Sequence, residues 1–197
     1  MFNRIGGPLL GVFPMITMFL VTSVTMLRER TTGTLERLMT MPLAKLDLLA
    51  GYGAAFALVT AAQATLVSVV AFWLLDLDVS GAKWGVFLLA ISNAIFGTAF
   101  GLFFSAFART EFQAVQFLPA FLFPQLLLCG LLSPRGNMAH PLEVVSWVLP
   151  LTYAYDALDR VTRAAYGSWL AADVAIVLVL SALALIGGAL TLRRRTP

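Results

Sequence analysis

Charge is what this sequence has least of. Asp, Glu, Lys and Arg make up only 12% of its 197 residues, while 60% are hydrophobic; soluble domains carry about 25% charged residues and about 45–50% apolar ones. The deficit excludes an ordinary soluble domain and predicts a chain that crosses a membrane several times. Cysteine is almost absent: Cys129 stands alone in an apolar run, which excludes an internal disulfide framework. The single histidine, His140, sits beside Pro141 and cannot build a metal site or a catalytic triad by itself. GxxxxGK[ST], HExxH and GxSxG are all missing, so no phosphate-cradling loop, zinc-protease helix or nucleophile elbow is present. Ionisable residues are missing from the middle of the apolar runs as well. Proton-coupled carriers place such residues near mid-membrane, so a self-powered pump is not expected, and neither is an enzyme.

What is there is a series of long apolar segments. A hydrocarbon core about 30 Å thick needs roughly 20 apolar helical residues. Five stretches meet or approach that length, at about 8–27, 48–75, 84–108, 112–132 and 171–192. A sixth, Val144–Tyr155, is shorter, preceded by Pro141 and interrupted by Pro150, which predicts a re-entrant or interfacial broken helix within an outer segment 133–169. The expected fold class is all-α: a polytopic helical bundle forming one transmembrane domain over 1–197. Arg28, Arg30, Arg37 and Lys45 in the first connection, and Arg193–Arg195 at the end, place the segment 28–47 and the C-terminus in the cytoplasm by the positive-inside rule. Trp73, Trp84, Trp147 and Trp169 then fall at the outer boundary, as an aromatic belt requires. The same count puts the N-terminus outside without a cleavable signal, so an upstream span is expected to be missing or supplied elsewhere.

The connection 28–47 is more elaborate than a turn. No charge occurs from Ile5 to Leu27 or from Leu48 to Leu75, yet Arg28, Glu29, Arg30, Glu36, Arg37, Lys45 and Asp47 lie between them. Leu35, Leu38 and Met39 have helical spacing, with Glu36 and Arg37 on other faces. Thr31 or Thr32 is expected to cap this short helix, Pro42 to stop it, and Asp47 to cap the next helix at Leu48. Two readings fit. The helix rests on the bilayer surface as an interfacial helix, or it inserts Leu35, Leu38 and Met39 into the groove of a cytosolic partner, with Gly33 allowing close backbone approach. Asn93 and Gln125 are the intramembrane amides that could line a substrate path; packing between helices is the simpler role for each. The Gly97-Thr-Ala-Phe-Gly101 motif marks close helix packing, within the chain or between two copies of it. Asp156, Asp159, Arg160 and Arg163 are spaced for two ion pairs, 156/160 and 159/163.

The segment Arg28-Glu-Arg-Thr-Thr-Gly-Thr-Leu-Glu-Arg-Leu-Met-Thr-Met-Pro-Leu, followed by Ala-Lys-Leu-Asp-Leu-Leu-Ala-Gly, resembles the R-E-x-x-x-G-T-L-E-x-L-x-x-x-P-L segment of ABC-2 type export permeases. Phe117–Pro134 is similar to that family's fifth span and its outer helical hairpin, and Trp147–Leu158 to the outer segment that follows. The resemblance implies the membrane half of an ATP-driven exporter in a bacterial-type plasma membrane. Its charged segment would meet a separate ATP-binding subunit through Arg30, Gly33, Thr34, Leu35, Glu36, Arg37 and Pro42. It implies a second permease chain, an amphipathic cargo (drug, lipid or glycan), and no nucleic acid. No cofactor or metal is expected on this chain itself; ATP would sit on the partner subunit. The family's core has six spans and this sequence five, so the usual first amphipathic helix and first span are expected to lie outside it. A competing expectation is a non-transporting membrane scaffold that uses the same segment to bind some other cytosolic protein.

Overall fold

The computed structural model describes residues 2–40 and 45–191. Eight α-helices account for most of them: α1 (Phe2–Thr31), α2 (Thr34–Thr40), α3 (Lys45–Val69), α4 (Lys83–Ser105), α5 (Glu111–Leu128), α6 (His140–Ser146), α7 (Pro150–Thr162) and α8 (Ser168–Thr191). No strand occurs among the described residues, and the all-α helical bundle expected from the sequence is observed. Four helical stretches are long and apolar enough to cross a membrane: Gly6–Thr31, Gly51–Leu74, Lys83–Ser105 and Ser168–Gly188. The span expected at 112–132 is not among them. It begins at Glu111 but ends at Leu128, carries Gln113, Gln116 and Gln125, and is followed by Gly130 at φ 102°, a left-handed residue that turns the chain.

The helices define two ends. α1, α4 and α8 run in one direction, while α3 and α5 return. At one end α1 meets the starts of α3 and α5, through Glu29–Tyr52 and Arg28–Glu111. At the other, the connection after α3 lies on the turn between α7 and α8: Gly81 N–H donates to Thr162 O at 3.2 Å and Ala82 N–H to the Tyr166 hydroxyl at 2.7 Å. The four tryptophans gather at this second end, all exposed.

α1 and α4 form the spine. A Cβ on Gly97 would collide with the carbonyl oxygen of Met15, and one on Gly101 would lie 2.6 Å from that of Phe19. The glycine motif is therefore spent on backbone-to-backbone packing within one chain, not between copies, because α4 can approach α1 this closely only without side chains in the way. Gly187, the other small-residue patch, packs on the Phe103 ring inside the chain as well. An aromatic ladder fixes α5 to this pair: Phe100 and Phe104 of α4 lie 5.0 and 4.9 Å from Phe121 of α5, and Phe19 of α1 lies 6.2 Å from it. Such contacts add about 0.5–1.5 kcal/mol each beyond the area they bury.

α6 and α7 form the broken segment anticipated between Pro141 and Pro150, each proline standing in the first turn of its helix where no N–H is needed. α7 buries Leu151, Ala154, Ala157, Leu158 and Val161, an i, i+3, i+4 stripe. That stripe seats on α1 and α4: Leu158 fills the space above Gly11, and Val161 lies against Gly81 and Gly85. Beside it, Arg135 of a single 3₁₀ turn donates from one terminal nitrogen to both Asp156 oxygens at 2.7 and 2.6 Å, and its guanidinium stacks 4.7 Å from the Trp147 ring. Burial pushes the Asp156 carboxyl above the ordinary carboxylate range, and the Arg135 guanidinium opposes that rise. Arg160 reaches across to Asp173 of α8 at 2.9 Å. The expected 156/160 pair therefore does not form. Both residues find non-local partners, whereas the 159/163 pair forms at 2.8 Å.

Candidate functional site: the charged end of the bundle

The bend after α1 is built from hydroxyls and one glycine. Thr32 N–H and the Thr32 hydroxyl both donate to Arg28 O, at 2.9 and 2.8 Å, and the Thr31 hydroxyl to the same oxygen at 3.2 Å. These bonds close the last turn of α1, so Thr31 and Thr32 end one helix; the expectation that they cap the start of the next is corrected. Gly33 follows at φ 74°, where a β-carbon would be strained. A Cβ there would meet nothing within 4 Å, so in this chain the glycine supplies conformation and not room. Thr34 then opens α2, its hydroxyl 3.0 Å from that of Thr32, and Arg37 N–H donates to Gly33 O at 3.0 Å to begin the helix. Arg37 is exposed and Leu38 partly buried. The side chains of Leu35, Glu36 and Met39 lie outside the described residues, as does all of Pro42. α3 starts at Lys45, so Asp47 lies within its first turn and does not precede it.

Three consecutive charged residues at the end of α1 have separate fates. Arg28 forks onto Glu111 of α5, with bonds of 2.6 and 3.0 Å; both side chains are more than half exposed, so the pair positions α5 and contributes little stability. That guanidinium holds the Glu111 carboxyl below its ordinary value. Glu29 accepts from the Tyr52 hydroxyl of α3 at 2.8 Å. Arg30 is partly buried, and its Nε is closed to solvent with no hydrogen-bond partner. At the same end, α5 begins with a capping arrangement: Thr110 accepts from Gln113 N–H at 3.2 Å, and the Gln113 side chain accepts from Arg109 N–H at 2.9 Å. None of these ties except the Thr110–Gln113 spacing has a local signal in the sequence, since Arg28 and Glu111 are 83 positions apart.

The two candidate path residues lie away from this end. Gln125 is 1% exposed and fully engaged: its amide donates to Phe121 O at 2.9 Å, and its carbonyl accepts from Leu151 N–H at 3.0 Å. Leu151 is the second residue of α7, and its N–H is one of the orphan donors of a helix start, so Gln125 joins α5 to the outer segment. Gln125→Leu is expected to cost about 1–3 kcal/mol by leaving that donor unsatisfied, read as a lower thermal midpoint in detergent; an unchanged midpoint would release Gln125 from this role. Asn93 lies mid-way along α4, 2% exposed, its amide nitrogen against Gly11 and without a partner.

Comparison with known proteins agrees with this architecture. Over 153 residues the chain is 28% identical to the probable multidrug ABC transporter permease YbhR of Escherichia coli K12, covering 78% of the chain and 42% of that protein. Probable multidrug ABC transporter permease YbhS of the same organism is 24% identical over 171 residues, 86% of the chain and 44% of that protein. ABC transporter G family member 20 of Dictyostelium discoideum is 28% identical over 138 residues, 70% of the chain and 19% of that protein. The chain thus spans less than half the length of these relatives. Residues 1–161 match the model of the ABC-2 type transporter family, and with an apolar helical bundle and a bent, charged connection between its first two long helices, the chain belongs to that family.

Proposed function

We propose that the chain is the membrane-spanning permease part of an ATP-driven exporter and that its charged end docks a separate ATP-binding subunit. The observation that carries this reading is the bend at Gly33. Three hydroxyl and amide donors, a left-handed glycine and two inter-helix ties hold a seven-residue helix at the end of α1, tied to α3 and α5. A connection needed only to reverse the chain would not require that construction. The positive residues of this end and the tryptophans of the other support a cytoplasmic charged end in a bacterial-type plasma membrane. ATP would be hydrolysed on the partner, two permease chains would enclose the path, and the multidrug designation of YbhR and YbhS favours amphipathic cargo. Arg30, Gly33, Thr34, Leu35, Glu36, Arg37, Met39 and Pro42 would form the docking surface, and Asn93 is the better candidate for the path because its amide nitrogen is uncommitted.

The test is co-purification of the full-length permease with a candidate ATP-binding subunit. Gly33→Trp and Glu36→Arg are expected to weaken retention at least tenfold and to lower ATP-dependent efflux in proportion. Gly33→Asn should keep most of both, because Asn tolerates the left-handed region. Unchanged binding and efflux in both disruptive variants would reject the docking surface in favour of a scaffold with another partner.

A further inference from the structure

α3 and its outer connection carry one residue more than a continuous α-helix needs. The body of the helix is held at the charged end, where Tyr52 donates to Glu29 at 2.8 Å and Phe56 packs with Met18 and Ala94. The outer connection is held as well. Leu77 and Val79 are buried with Leu158 and Val161, and Gly81 N–H donates to Thr162 O. Between these anchors lies a π turn, Val70–Leu74, in which Leu75 N–H donates to Val70 O at 3.0 Å. An α turn closes with one residue fewer. Asp76 follows at φ 48°, a left-handed conformation that is costly for a residue with a β-carbon. The surplus pushes Trp73 and Leu74 outward, 87% and 77% exposed.

The polar ties of α3 to α4 are weak. α3 turns Tyr52, Phe56, Thr60, Ala64 and Ser68 inward at i, i+4 spacing and is exposed over most of its remaining surface. The Thr60 and Thr98 hydroxyls lie 3.5 Å apart, at the limit of a hydrogen bond, and Thr98 already donates to Ala94 O at 2.9 Å. The Ser68 hydroxyl is buried without a partner among the described residues. One residue further on, Gly53, Ala57, Ala61 and Thr65 form an exposed face. Gly53, Ala57 and Ala61 are smaller than Tyr52, Phe56 and Thr60, so this face too can lie against α4.

We propose that the π turn is a one-residue store of chain length, and that α3 has a second register on α4 in which the store is spent. In that register the turn is α-helical, and the body of α3 has screwed one residue toward the charged end, an advance of about 1.5 Å. Ala61 then stands where Thr60 stood against Thr98, and the Thr65 hydroxyl turns inward. The outer connection stays seated on α7 throughout. The shift gives up the Tyr52–Glu29 bond and gains a regular turn. It does not depend on what docks at the charged end.

The experiment is disulfide trapping in the full-length chain in phosphatidylcholine nanodiscs, with Cys129→Ser as background. Thr60→Cys with Thr98→Cys reports the observed register, and Ala61→Cys with Thr98→Cys the second. Both pairs are expected to cross-link. Deleting Leu74 removes the surplus residue, so it should keep the 60–98 cross-link and lose the 61–98 one. Tyr52→Phe removes the bond that holds the observed register and should raise the 61–98 rate about fivefold. Thermal midpoints check that each variant folds. A 61–98 pair that never cross-links, or that cross-links equally well without Leu74, overturns the proposal. Should the deletion fail to fold, Tyr52→Phe decides: an unchanged 61–98 rate rejects the second register.

Discussion

Asp156→Ala is expected to lower the stability of the folded chain by about 3–5 kcal/mol, more than any other single truncation in the outer segment. The carboxylate is 9% exposed at its side chain and its Arg135 partner 18%, so neither has much water to fall back on. Removing the acid leaves a stacked, largely enclosed guanidinium whose other terminal nitrogen already lacks a partner. The damage should spread, because Arg135 anchors the chain leaving α5 while α7 seats on α1 and α4. Replacing both partners, as in Arg135→Met with Asp156→Leu, should recover most of the loss, since an apolar pair removes the desolvation cost together with the attraction. Asp159→Ala is the matched control. Its pair with Arg163 is an exposed i,i+4 contact worth about 0.3–0.5 kcal/mol. Thermal unfolding of detergent-purified protein measures all three, and equal losses in Asp156→Ala and Asp159→Ala would mean that the outer pair is not enclosed.

Gly97→Leu should be the next most damaging, at about 1–3 kcal/mol for forced overpacking. Even Gly97→Ala is expected to destabilise. Alanine favours a helix over glycine by about 1 kcal/mol, but here its β-carbon would meet the backbone of Met15, which cannot rotate aside. Gly51 and Gly53 of α3 offer the contrast: an added β-carbon would meet nothing within 4 Å, so alanine there should be neutral or stabilising. The same variants decide where the glycine motif acts. An intrachain role predicts a lower melting temperature of the single chain. A role between two copies predicts loss of the dimer with the chain's own midpoint unchanged, and that result would sink the α1–α4 assignment.

How far the sequence reveals this molecule depends on the range of each interaction. Long uninterrupted apolar runs identify the spanning helices, and Pro141 and Pro150 mark the break between α6 and α7 because a proline belongs in a first turn. The helix at 34–40 is legible from Leu35, Leu38 and Met39, but its entrance is not: Thr31 and Thr32 look like caps for the following helix and instead bond back to Arg28. Thr110-x-x-Gln113 is a capping-box spacing that could have placed the start of α5. Asp156 shows the limit most clearly. Its neighbour at i+4 is a suitable arginine, yet an arginine 21 positions away takes it, since stacking on Trp147 and two short bonds outweigh a solvent-facing local pair. The docking surface is legible as a pattern of residue types. Which of its charges are already matched, and that Arg30 is left over, depends on Tyr52 and Glu111, and no spacing rule reaches them.

The spine of α1 and α4 also bears on how motion can pass through the molecule. Carbonyls four residues apart, at Met15 and Phe19, rest over glycines four residues apart, at Gly97 and Gly101. Four residues advance a helix by about 6 Å, so the smallest slide that seats a carbonyl over a glycine again is a full helical step. A lesser displacement takes each carbonyl off its glycine and onto residues that carry side chains, so the close packing of α1 on α4 resists small axial shear.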